Sequence, residues 1–224
     1  MFDAIDPVRI LLSFIVFLFS LSVHESAHAF VSDRFGDDLG KSLGRISLNP
    51  IVHIDPIGTV LFPLIGAITH APVFGWAKPV PVNPLAWREK DKANFWVSAA
   101  GPLSNFALAL IFFIILKTFI LTGLVGVVGN QFYIATNSEV MEPIILLVFL
   151  GLTINLILGL FNLIPVPPLD GGGMLESILP YEAQRSFEQV KQYGFMILFA
   201  LILLGVFSII YRPVEAAVMY LLRL

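Results

Sequence analysis

From Ile10 to Ala29 the only ionisable residues are His24, Glu25 and His28. With flanking Val8, Phe30 and Val31, the run is long enough to cross a hydrocarbon core of about 30 Å, which predicts a membrane helix over 8–31. Three further apolar runs, 94–121, 140–164 and 193–211, predict spans of similar length. A shorter amphipathic piece, Val214 to Leu222, either continues the last helix or lies along the interface. Between the first two spans the pattern changes. Glycines at 36, 40 and 44 and the alternation Arg45-Ile46-Ser47-Leu48 predict short extended strands and turns. The segment 56–71 is apolar but short, and Gly58, Pro63 and Gly66 interrupt it, so it predicts a re-entrant or half-spanning piece. The prolines of Phe74 to Pro84 forbid a continuous helix and favour an extended edge segment. The expected fold is an all-α polytopic membrane protein. It is a single domain over 1–224, with about four full transmembrane helices, the short re-entrant segment and a small membrane-associated β or extended element within 40–84.

Composition agrees with this pattern. Of 224 residues, 57% are hydrophobic and 13% charged, about half the charged share of a soluble domain. The net charge is −3, with no long basic block, so nucleic acid is not an expected partner. There are no cysteines, which excludes disulfides, thiolate metal sites and a cysteine nucleophile. A signal peptide fits the first run poorly, because the apolar stretch is too long and carries its charged motif inside. With 56–71 treated as non-crossing, nine basic residues (Arg34, Lys41, Arg45, Lys78, Arg88, Lys90, Lys92, Arg185 and Lys191) fall on one side. Arg9, Lys117, Arg212 and Arg223 fall on the other. That bias places the end of the first helix in the cytoplasm and predicts a plasma-membrane protein whose site faces the cytoplasmic side.

Residues 24–28 read His24-Glu25-Ser26-Ala27-His28, an HExxH pattern on a predicted helix. At 3.6 residues per turn the histidines lie about 40° apart on one face, so both rings can reach one metal ion. Glu25 is turned away from that face but can reach a metal-bound water as general base. From this chain's own His and Glu frequencies the pattern is expected by chance only about 0.003 times. Ser13, Ser20, His24 and His28 form a polar stripe in an otherwise apolar helix, which predicts a face turned to the bundle interior or a water-filled cavity.

A catalytic zinc site takes three protein ligands and leaves a fourth position open. The candidates for the third are His53, Asp55, His70, Glu142 and Asp170. Asp170 stands out because three prolines, at 165, 167 and 168, break the helix before it, and Gly171 to Gly173 let the backbone turn beside it. Irregular backbone at membrane depth belongs where it is buried or lines a cavity. Elsewhere, Gly151, Asn155, Gly159 and Asn162 share one helix face, with small residues for close packing and asparagines for polar contacts. Ser98, Gly101, Ser104 and Asn105 read as packing positions at the start of another span. His53 and Asp55 read as loop residues that could assist a metal or regulatory site.

The pair His24-Glu25-Ser26-Ala27-His28 and Leu169-Asp170-Gly171 resembles the two catalytic motifs of the site-2 protease family of intramembrane zinc metalloproteases. The resemblance covers nearly the whole chain and is to the short members without an inserted PDZ domain. It implies one zinc ion held by His24, His28 and Asp170, with Glu25 activating the water. It also implies a substrate-binding role for Asn162 and transmembrane proteins or peptides as substrates. The extended segments near Arg45 to Leu48 and Gly75 to Val82 could take an unwound substrate strand by β-addition. Three other readings stay open at this stage. One is an ion or metal transporter built on a buried His and carboxylate pathway. Another is a different membrane zincin with a glutamate as third ligand, for which Glu142 and Glu176 lack motif context. The third is a catalytically silent relative acting as a binding partner, against which the intact Glu25 counts.

Overall fold

The computed structural model describes residues 7–69, 75–128, 131–135 and 138–223. His70 and the link to Phe74 lie outside the described residues. The first helix, α1 (Pro7–Phe35), begins on a proline whose missing N–H is one of the unpaired donors of a helix start. It ends at Gly36, where φ is +110°. Short α2 (Leu39–Ser42) follows, then a 3₁₀ turn at Pro50–His53 and a π-helical turn at Pro56–Leu61 that runs into α3 (Phe62–Thr69).

These turns replace the strands expected within 40–84, where no strand occurs among the described residues. The reason is local. Asn49-Pro50 and Asp55-Pro56 each place a capping side chain before a proline at the first helical position. The Asn49 side-chain Oδ1 accepts from Ile51 N–H at 3.1 Å, and the Asp55 carboxylate accepts from Ile57 and Gly58 N–H at 3.0 and 2.7 Å. The alternating pattern at 45–48 was too short to compete with those caps. Residues 75–83 form neither helix nor strand and are held by separate hydrogen bonds. Trp76 N–H donates to Gly58 and Lys78 N–H to the His53 carbonyl, at 3.2 and 2.8 Å. The buried Arg45 guanidinium donates to the carbonyls of Val52, Lys78 and Pro79.

Two long helices form the rest of the frame: α4 (Lys90–Leu121) and α5 (Met141–Asn162). Both pack against α1 and against each other. Between them lies an antiparallel hairpin, β1 (Val125–Val128) and β2 (Gln131–Ile134), with Val125 opposite Ile134 and Val128 opposite Gln131. This is where the small sheet occurs, instead of in 40–84. Gly129-Asn130 between two β-rich runs was the sequence signal for it.

After α5 come α6 (Asp170–Ile178) and α7 (Tyr181–Lys191), neither of which the apolar pattern announced. The span expected at 193–211 is instead a bent pair, α8 (Gly194–Leu203) and α9 (Val206–Arg223), with a change of direction of 63°. Gly205 at φ +79° ends α8, its N–H donating to the Ile202 carbonyl at 3.0 Å. The piece 214–222 is therefore the second half of α9. Its Val214, Val218, Met219 and Leu222 are buried with Leu116, Ile145, Val148 and Leu152 in the largest apolar cluster.

Among the described residues α1, α4 and α5 are long and apolar enough to cross a membrane, and the α8–α9 pair makes a fourth span if counted as one. Their outer faces expose Leu11, Ile15, Leu103, Leu110 and Ile111, while Ser20, Asn105 and Asn155 are fully buried between the helices. This is the arrangement of a protein whose outer solvent is lipid and whose helices are joined by small and polar contacts.

Candidate metal centre

His24 and His28 stand one turn apart on α1 with ring centroids 4.7 Å apart, nearly perpendicular at 81°. Asp170 reaches them as the first residue of α6. Its Oδ2 lies 3.1 Å from His24 Nε2 and its Oδ1 lies 3.3 Å from His28 Nε2. One donor atom from each of the three falls within 4.8 Å of the others. The chain places Asp170 there because Leu169 is extended and the next turn has no side chain in the way. A Cβ on Gly171 would strike the carbonyls of Leu163 and Ile164, so α6 starts directly on the end of α5.

The third wall is α4. Val97, Gly101 and Asn105 recur at steps of four and so share one face. The Val97 carbonyl lies 2.6 Å from His28 Nδ1, and Asn105 Oδ1 lies 2.7 Å from His24 Nδ1. A Cβ on Gly101 would come within 2.5 Å of Nε2 of both histidines, so glycine is what allows α4 this close. Gly101 and Asn105, read from the sequence as packing positions, also touch the histidine pair. The spacing of four that they share with Val97 is the same signal that exposed the His24 and His28 stripe.

The donor set fits a divalent cation. A carbonyl can only accept, so His28 Nδ1 carries the proton and, in the neutral ring, Nε2 is a bare lone pair. That lone pair faces the carboxylate of Asp170, whose Oδ2 is buried without a hydrogen-bond partner. Lone pairs converging on lone pairs repel unless a cation sits among them, and two imidazoles with one carboxylate leave a further coordination position open.

Glu25, one residue past His24, is half-buried and is not one of the three converging groups; its Oε2 accepts the Val80 N–H at 3.0 Å. Asn162 closes α5, with its Nδ2 donating to the Leu158 carbonyl at 3.0 Å. Among the described residues no hydrogen bond joins Asn162 to the histidines or Asp170. His53 is buried in the loop layer, where its Nε2 donates to the Ser47 carbonyl at 2.9 Å, and Asp55 is a cap. Glu142 sits in the first turn of α5. Glu176 pairs with Lys191 and accepts from Asn94 at 3.4 Å. Neither glutamate joins the cluster. A cleft of about 320 Å³ runs from Glu176 and Lys191 past Ser98 and Pro167 to Asp170.

The sequence profile of peptidase family M50 matches residues 12–205. YwhC of Bacillus subtilis, named as a zinc metalloprotease, is 36% identical over 89% of this chain and 83% of its own length. Rip2 of Mycolicibacterium smegmatis, named likewise, is 34% identical over 90% of this chain and 71% of its own. No solved structure matches the chain. None of these matches supports the transporter reading. Because the matched span runs from α1 into the α8–α9 break and includes both histidines and Asp170, the chain belongs to peptidase family M50 and is a multi-pass membrane metallopeptidase.

Proposed function

We propose that the chain is an intramembrane zinc metalloendopeptidase of the site-2 type, hydrolysing peptide bonds within or near the transmembrane segments of membrane-protein substrates. One observation carries this: three metal-competent side chains converge within 4.8 Å between helices long and apolar enough to cross a bilayer. His24, His28 and Asp170 would hold the ion, which supplies a Lewis acid that polarises the scissile carbonyl and acidifies water. Glu25 accepts the proton of the attacking water and returns it to the leaving amine. The Val80 N–H holds one carboxylate oxygen of Glu25 in place, leaving the other for that proton.

A substrate helix has its carbonyls hydrogen-bonded internally and must unwind before attack. The extended segment 75–82 offers it a β-edge. Trp76, Lys78 and Val80 use their N–H groups inward, Pro79 and Pro81 have none, and Arg45 already donates to the Lys78 and Pro79 carbonyls, so within 76–81 the N–H left for an unwound substrate is that of Ala77. Asn162, at the end of α5 beside the turn that delivers Asp170, is the proposed substrate-positioning side chain.

The site lies towards the Phe35 end of α1, the Lys90 end of α4 and the Asn162 end of α5, the side with most of the basic residues. That supports a plasma-membrane protein whose site opens to the cytoplasm. The test is cleavage of a panel of single-span substrates by purified protein in liposomes, with zinc measured by mass spectrometry. Wild type should cut within the span and hold about one zinc ion, and Glu25→Gln should keep the zinc while losing about 10²–10⁴-fold in rate. Equal cleavage by both proteins, or a wild type without zinc, would sink the proposal.

A further inference from the structure

We propose that Asn105, oriented by Asn155, fixes which nitrogen of His24 faces the metal position, and is therefore a positioning residue for the metal. The inference rests on the metal-site reading above. Every hydrogen bond in the chain of contacts has only one possible direction. Asn155 Nδ2 lies 2.8 Å from the Gly151 carbonyl and 2.9 Å from Ser20 Oγ. A carbonyl cannot donate, so this end of the Asn155 amide is its NH₂, and Oδ1 is the atom presented to Asn105. Asn105 Nδ2 donates to that Oδ1 at 2.9 Å and reaches the Ser20 carbonyl at 3.5 Å. Its own Oδ1 is then an acceptor only, and His24 Nδ1, 2.7 Å away, must carry the proton. Nε2 is left as the lone pair that faces Asp170.

The contacts run from α5 through α4 to α1, and Ser20, Asn105 and Asn155 are all fully buried. No solvent is available to replace a lost partner, so the direction set at Gly151 is transmitted to the ring. His28 is fixed separately by the Val97 carbonyl. Glue between helices would require only that the three polar groups be paired. Here the terminal group is a ligand whose two nitrogens are chemically distinct, and the amide selects between them. Without the Asn105 acceptor, a neutral His24 would favour a proton on Nε2, donated towards Asp170 Oδ2 at 3.1 Å, where it competes with a metal ion.

The test uses full-length protein labelled with ¹⁵N in the rings of its four histidines, together with zinc titration against a chelator. In wild type His24 should show a slowly exchanging Nδ1 proton, with or without zinc. Asn105→Leu should lose that signal and bind zinc about 10–100-fold more weakly. Asn105→Asp, which can accept from His24 and in its protonated form donate to Asn155, should stay within a few-fold of wild type. A wild-type His24 bare at Nδ1, or a folded Asn105→Leu protein with wild-type zinc affinity, would overturn the inference. If Asn105→Leu does not fold, the wild-type Nδ1 signal still decides. A wild type that takes up no zinc would overturn the metal reading, while the same proton still tests the relay.

Discussion

The main-chain N–H of Val80 donates to Oε2 of Glu25 across 3.0 Å. This bond fastens the proline-rich segment 75–83 to the residue beside the first histidine. The proposed general base and the proposed substrate edge are thus one mechanical unit, braced from behind by Arg45 through the carbonyls of Lys78 and Pro79.

Removing that bond should therefore slow the reaction without touching the metal. Val80→Pro deletes the N–H, and a hydrogen bond to a charged acceptor contributes about 1.5–3 kcal/mol. The expected result is a fall in kcat of roughly 10- to 100-fold with zinc content unchanged. A rate equal to wild type would mean that Glu25 does not depend on the segment for its position.

At Gly101 a single methyl group should be enough to disturb the site. A Cβ there falls within 2.5 Å of both Nε2 atoms, and neither α4 nor the rings can withdraw without breaking the contacts at Val97 and Asn105. Gly101→Ala should cost about 1–3 kcal/mol by overpacking and lower zinc affinity, read by chelator competition and thermal unfolding. Gly44→Ala, where a Cβ meets nothing within 4 Å, separates crowding from backbone strain, because its φ of +68° strains any side chain. Zinc affinity should fall in the first variant only.

Asp170 and Glu176 line the same cleft, yet only Asp170 converges with the histidines. Asp170→Ala should weaken zinc binding by more than about 100-fold, as expected of a ligand when its supporting partners alone are worth 10–100-fold. Glu176→Ala should leave zinc in place and loosen the contacts to Lys191 and Asn94. Titration of both variants against one chelator would detect the reverse order, which would remove Asp170 from the ligand set.

His53 gives the loop layer a pH dependence. Burial holds its pKa below the ordinary 6.5, helped by the neighbouring Arg45 charge and opposed by the hydrogen bond to the Ser47 carbonyl. Because the unfolded chain binds the proton more readily, the stabilising contribution is fully present above pH 6.5. It is lost as pH falls from there towards the folded-state value. Wild type should unfold at progressively lower temperature below about pH 6.5, and His53→Gln, which keeps a donor for Ser47, should flatten that slope. Identical slopes for the two proteins would assign the acid sensitivity to other groups.

The sequence by itself determined the class of protein, the first ligand pair and the break before Asp170. Apolar runs long enough to cross a bilayer, HExxH at helical spacing and a proline-then-glycine interruption are all local, and local patterns act through backbone sterics and periodicity. The same rules contained the caps at Asn49-Pro50 and Asp55-Pro56, although the alternation at 45–48 pointed to strands there. Only the tertiary structure decided that Asp170 meets the two histidines, and that Gly101 and Asn105 touch the rings instead of serving packing alone. It also decided that Val80, 55 residues along the chain, holds Glu25. A glycine at a helix contact and an asparagine in a polar stripe read alike in sequence whether they face a neighbouring helix or a ligand. What distinguishes them is the crossing of α1, α4 and α5, which is set by the packing of all three helices together and is written in no single segment.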